Sequence, residues 1–105
     1  MANEPSENVG TRLMFENERV RVWDLALAPG ESMPTHIHRD DYLFIVVNGG
    51  DLRHIDRENP DNDKPVRLET DRVVFNEANG GTVHNELLNV GDTPYRNFII
   101  ELKAP

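Results

Sequence analysis

The sequence predicts an all-β domain, a barrel or sandwich of short antiparallel strands, and three observations carry that expectation. Apolar residues recur in short runs separated by clusters of Gly, Pro, Asn and Asp. The runs themselves are rich in β-branched and aromatic residues, as at Val20-Arg21-Val22-Trp23 and Tyr42-Leu43-Phe44-Ile45-Val46-Val47. No segment shows a convincing helical period. At 105 residues the chain is sized for one core and no more.

Met1 to Gly10 holds Asn, Glu, Pro and Ser with almost nothing to bury. Residues 1–12 are therefore expected to form a flexible N-terminal arm and residues 13–105 a single barrel domain. Arg19 to Leu27 reads as a strand ended by Ala28-Pro29-Gly30. His36 to Val47 is the longest β-like segment, and Asn48-Gly49-Gly50 behind it is a short-hairpin signal, because Asn and Gly accept positive φ. Asp51 to Asp56 is then its return strand. Asn59 to Pro65 is a loop that no helix or central strand would tolerate. Further strands are expected at Val66 to Leu68, Arg72 to Phe75, Thr82 to Leu88 and Tyr95 to Leu102, with Trp23 and Phe98 as core anchors.

The formal charge of -8, from 19 acidic against 11 basic residues, repels phosphate backbones and anionic lipid surfaces, so neither nucleic acid nor membrane is an expected partner. With no cysteine there is no disulfide framework and no thiolate ligand or nucleophile. Any metal must be held by nitrogen and oxygen. Met1 to Asn8 lacks the basic and apolar parts of a secretory signal, and the longest apolar run, Leu43 to Val47, cannot span a bilayer. A cytoplasmic protein is expected.

Chemistry concentrates in the histidines. His36 and His38 lie two apart on a predicted strand, where side chains alternate, so both project from one face and can converge on one ion. His84, behind Asn79-Gly80-Gly81, supplies a third nitrogen from another strand. If His36 and His38 face inward, Asp40, Tyr42, Phe44 and Val46 share their face, while Ile37, Leu43, Ile45 and Val47 form an outer strip. That strip is apolar too, which predicts cover by a second subunit in a homodimer. By the same parity Glu86 shares the face of His84, as a carboxylate ligand or as an acid or base. Tyr42 is either a buried packing residue or a hydroxyl donor to substrate. Asp40 and Asp41 are either acceptors for imidazole N–H groups or turn residues, and His54 reads as a strand residue near the surface.

Gly30, His36, His38 and Gly49 fall at the spacings of the first motif of the cupin superfamily, and Gly81 and His84 match part of the second. The chain resembles that family over most of Arg19 to Leu102. The resemblance implies a double-stranded β-helix, or jelly-roll barrel, with a divalent metal inside, held here by His36, His38 and His84. Tyr42 stands where the family has a glutamate ligand, Asn79 replaces a proline and Leu88 an asparagine. The implied activity is that of a small dioxygenase-like enzyme with Fe(II) favoured and Mn, Ni or Zn as alternatives, acting on a small anionic or chelating metabolite, with Glu86 and Tyr42 as catalytic candidates. A weaker likeness connects the chain to stand-alone bacterial cupins of the beta-alanine-degradation type. Isomerase, decarboxylase or lyase chemistry on a small carboxylate, and a non-catalytic ligand-binding cupin, are the alternatives.

Overall fold

The alternating runs become strands throughout the computed structural model, which describes residues 5–104. The strands are β1 (Arg12–Glu16), β2 (Val20–Leu27), β3 (Ser32–Met33), β4 (His36–His38), β5 (Asp41–Asn48), β6 (Gly50–Ile55), β7 (Lys64–Leu68), β8 (Val73–Asn76), β9 (Thr82–His84), β10 (Glu86–Asn89) and β11 (Tyr95–Leu102). One sheet has the order β1-β2-β11-β5-β8, a second β3-β10-β6-β7, and β4 pairs with β9 alone. All of these pairings are antiparallel. The result is the expected all-β jelly-roll barrel, a double-stranded β-helix.

Period-two alternation decides what fills it. Along β11, Tyr95, Asn97, Ile99 and Glu101 are buried and point in, while the residues between them are half-buried or exposed. Trp23, Leu25 and Leu27 of β2 lie opposite Ile99, Asn97 and Tyr95 and continue that inner layer. Val46, Leu52, Leu68 and Met33 extend the core. Full burial of such a side chain is worth about 1.5–3 kcal/mol, so a few inward rows suffice to close a domain of this size.

Three sequence expectations change. The Asn48-Gly49-Gly50 segment is no hairpin: β5 pairs with β11 and β8, while β6 pairs with β10 and β7, so the chain crosses from one sheet to the other there. Gly49 is required for closeness, since a Cβ would sit 2.4 Å from Leu68 O and 2.6 Å from Thr70 N. The predicted long strand from His36 is broken at Arg39-Asp40, which lets β4 leave the main sheet for β9. The first strand of the chain is β1, unforeseen because Leu13-Met14-Phe15 spans an irregularity in its pairing with β2 and so shows no alternation.

The arm also departs from expectation. Residues 1–4 lie outside the described residues, but beyond them Ser6 bridges His36 in parallel, Ile37 N donates to Ser6 O at 2.8 Å, and Val9 is fully buried in the core. One apolar residue in a polar stretch is enough to dock it. Phe98, expected in the core, lies instead in the outward row of β11 beneath the Arg96 guanidinium, 4.9 Å from its ring centre. Pro65 is accommodated because β7 is the edge strand of its sheet, and Pro60–Asn62 forms a single 3-10 turn in the expected loop.

Candidate metal centre

The separate pairing of β4 with β9 builds the site. It sets His36 directly opposite His84 and His38 opposite Thr82, so the third imidazole joins the first two across one ladder. The chain reaches β9 through Asn79, Gly80 and Gly81, all with positive φ. At Gly81 (φ 146) only glycine is unstrained, and a Cβ there would also touch Ile37 Cδ1 at 3.4 Å.

The three rings cluster with centroids 4.6 to 5.6 Å apart, and one ligand atom from each lies within 4.8 Å of the others. His36 Nε2 and His38 Nε2 are 3.2 Å apart. His36 Nδ1 donates to Pro34 O at 2.9 Å, which leaves the lone pair on Nε2, turned to the cluster. Two nitrogens each about 2.1 Å from one ion, at roughly a right angle, are about 3 Å apart. The donor set therefore fits a divalent ion, and His36, His38 and His84 form a group able to hold one.

The imidazoles are kept neutral, as ligands must be. Burial, helped by the neighbouring imidazoles, depresses His38 to about 3 and His84 to about 4. Burial lowers His36 as well. Tyr42 stacks on His38 with centroids 3.8 Å apart and planes 12° from parallel. Its hydroxyl lies 3.1 Å from His84 Nε2 and accepts from Asn76 Nδ2 at 3.2 Å. Burial pushes that phenol up to about 12.

These groups stand at one end of a cavity of about 300 Å³, a volume suited to a small metabolite. Phe44, Val74 and Leu87 form an apolar stretch of its wall. His54, predicted near the surface, is half-buried and lines the cavity, as do Arg72 and three asparagines that belong to no sequence motif, Asn76, Asn85 and Asn97. A signal existed for two of them: His54 alternates with buried Leu52, and Asn76 with Val74.

The structure thus brings together His36, His38, His84 and Tyr42, but not Glu86. The parity that linked Glu86 to His84 holds only along an unbroken strand. Here β9 ends at His84 and β10 begins at Glu86 in a different sheet, so Asn85 and Leu87 take the inward places. Glu86 lies outside the cavity wall, where Arg57 Nε and Nη2 donate to its two carboxylate oxygens at 2.9 and 3.0 Å. Those hydrogen bonds hold its carboxyl below the usual range. Asp41 does not orient an imidazole either; its Oδ1 accepts from Ala78 N at 2.8 Å and secures the approach to β9.

Barrel and three-histidine pocket define the class: a jelly-roll protein with an internal nitrogen donor set. No family model and no curated sequence matches the chain. Solved structures do. A cupin domain from Bordetella pertussis Tohama I is 25% identical over 98% of this chain and 100% of its own, with a TM-score of 0.75. An RmlC-like cupin family protein with a double-stranded β-helix fold from Methanocaldococcus jannaschii is 16% identical over 97% of this chain and 89% of its own, at a TM-score of 0.65. The polyketide cyclase RemF from Streptomyces resistomycificus shares the barrel at 16% identity, over 82% of this chain and 56% of its own, with a TM-score of 0.60. The chain belongs to the cupin superfamily. Among the described residues no helix is long and apolar enough to cross a membrane.

Proposed function

We propose that this protein is a small metal-dependent enzyme of the cytoplasm, dioxygenase-like, that acts on a small anionic or chelating metabolite. The observation that carries the reading is the convergence of three neutral imidazoles, His36, His38 and His84, with no carboxylate in the set. Such a set suits Fe(II), the favoured occupant, and also Mn, Ni or Zn. A ferrous ion held there would supply Lewis acidity and electrons for oxygen chemistry. Because the ligands are neutral, the ionic charge stays uncompensated and the cavity favours an oxyanion.

The remaining chemistry belongs to the chain. Tyr42 stays protonated across the neutral range, so its hydroxyl is a donor and not a base. When His84 Nε2 serves as a ligand, the Tyr42 proton has no acceptor on that imidazole and is offered to a substrate oxygen. Asn76 holds the hydroxyl in place. Phe44, Val74 and Leu87 keep the surrounding wall free of water. That poised hydroxyl supports a second reading, in which the same site runs Lewis-acid isomerisation, decarboxylation or lyase chemistry and Tyr42 moves the proton.

Metal content of protein purified without a His-tag, followed by oxygen uptake over a panel of small carboxylates and diketones, tests both. The expected result is about one divalent ion per chain, lost in His84→Ala. Well under one ion after reconstitution refutes the metal reading, and turnover without oxygen uptake moves the assignment to the second.

The expected homodimer also remains our proposal. Ile45 opposite Val73 and Leu43 opposite Phe75 place four apolar side chains on the outer face of the five-stranded sheet. Ile45, Val73 and Phe75 are 36, 60 and 55% exposed in the single chain. Such a patch favours a second copy. A monomeric mass by light scattering at micromolar concentration would overturn it.

A further inference from the structure

The cavity has a second polar end. Register places it: Asn76 lies opposite Tyr42, Val74 opposite Phe44, and Arg72 O accepts from Val46 N, so Arg72 takes the next place of that row, two residues beyond Val74 and away from the histidines. Four residues at about 3.3 Å each separate Asn76 from Arg72 by roughly 13 Å of backbone. On the other side of Val46 lies Asn97, its partner in β11. Arg72 and Asn97 therefore flank Val46 at one level of the cavity, with the apolar Phe44, Val74 and Ile99 between them and the metal centre.

Neither residue is fully satisfied by the protein. Of the arginines on the neighbouring strands, Arg67 pairs with Asp51 and Glu69, Arg96 pairs with Asp24, and Arg53 does not line the cavity. Arg72 lines it and makes no ion pair or side-chain hydrogen bond among the described residues. Asn97 is 4% exposed, and its amide reaches the Tyr95 hydroxyl at 2.7 Å while the other amide atom is buried without a partner. As placed, Nδ2 donates and Oδ1 is the orphan. A separation of 2.7 Å is typical of O–H···O and short for N–H···O. A half-turn of the amide lets Tyr95 donate to Oδ1 and leaves the NH2, in the wall of the cavity, as the group without a partner. A buried amide left unpaired costs about 1–3 kcal/mol, which a bound group would recover.

We infer that Arg72 and Asn97 form the distal anchor of the substrate site, and that the substrate is an elongated small acid: one oxygen-bearing end at the three histidines, a few methylenes along the apolar waist, and a carboxylate on Arg72 and Asn97. This rests on the metal reading for its near end only. The distal end stands on its own geometry.

Calorimetric titration of the purified protein with succinate and glutarate, each against the monocarboxylate of equal length, butyrate and valerate, tests it. The wild type should bind at least one diacid about 10- to 100-fold more tightly than its monoacid, the range of a charge-assisted hydrogen-bonded pair. Arg72→Gln should collapse that ratio to about one with metal content unchanged, and Arg72→Lys should restore part of it. Arg72 is exposed, so neither change threatens folding. A ratio near one in wild-type protein that holds its divalent ion, a ratio that survives Arg72→Gln, or monoacid and diacid affinities in metal-free protein that are indifferent to Arg72→Gln, overturns the anchor. Failure of the metal reading looks different: in protein that holds no divalent ion the diacid loses its advantage, yet the affinity for both acids still falls in Arg72→Gln.

Discussion

Glu101 and Asn97 sit on the same inward face of β11, four residues apart, and both are buried, yet the fold treats them differently. Glu101 Oε1 accepts from Trp23 Nε1 at 2.6 Å and from Arg21 Nη1 at 3.3 Å, so its charge is met from two sides. Asn97 has one amide atom bonded and one bare. The other buried side-chain atom without a partner among the described residues is His38 Nδ1, again in the cavity wall. The barrel satisfies polar groups such as Glu101 that hold strands together, and the two it leaves unpaired among the described residues belong to residues of the cavity wall. An unpaired buried group is a cost to folding, so its confinement to the cavity marks the cavity as the working part of the molecule.

The sharpest way to expose that cost is acid. The folded state holds His38 at about 3 and His84 at about 4, below the ordinary value of 6.5. Between those values and 6.5 the unfolded chain binds more protons than the folded one, so stability is fully present above pH 6.5 and is lost as pH falls. Metal-free protein should show a thermal midpoint that drops steadily from pH 6.5 to pH 4, the largest effect predicted here. A midpoint flat across that window would mean that the imidazoles are not held neutral. The same depression lets a bound divalent ion persist near pH 5, where an ordinary imidazole is mostly protonated.

Breaking the satisfied half of the comparison should cost less. Glu101→Ala strands the Trp23 indole N–H and one side of Arg21, a loss of about 2–3 kcal/mol. In a domain of this length the thermal midpoint should fall by roughly 10 °C or more. Glu101→Gln keeps an acceptor for Trp23 and should recover much of that. Equal loss in both variants would assign the effect to charge alone.

The smallest changes separate two residues that looked equivalent in the sequence. Tyr42→Phe should shift stability by only about 1 kcal/mol and retain metal, yet slow turnover by roughly 10²- to 10⁴-fold once a substrate is in hand. Glu86→Gln breaks a pair with the exposed Arg57 and should cost no more than about 1 kcal/mol, with metal and turnover unchanged. A Glu86 variant as impaired as the Tyr42 variant would return the carboxylate to the mechanism.

Period-two alternation and turn chemistry decided much of this protein without further help. They identify the all-β class, the face shared by His36 and His38, the face shared by Tyr42 and Phe44, and His84 as a partner from another strand, because side-chain direction along one strand depends only on parity. That the two faces meet in one cavity across the break at Arg39-Asp40 is the work of the fold. Parity fails wherever a strand changes sheet, and that is a long-range event. The break at Asn85 that turns Glu86 out of the cavity, the crossing at Gly49 that makes β5 and β6 strangers, and the docking of Val9 all depend on what packs against the segment. Arg72 and Asn97 show the same limit from the other side: 24 residues lie between them in the chain. Only the two ladders on either side of Val46 bring them to one level, since hydrogen-bonded register between distant strands is set by the closure of the whole barrel and not by any local run of residues.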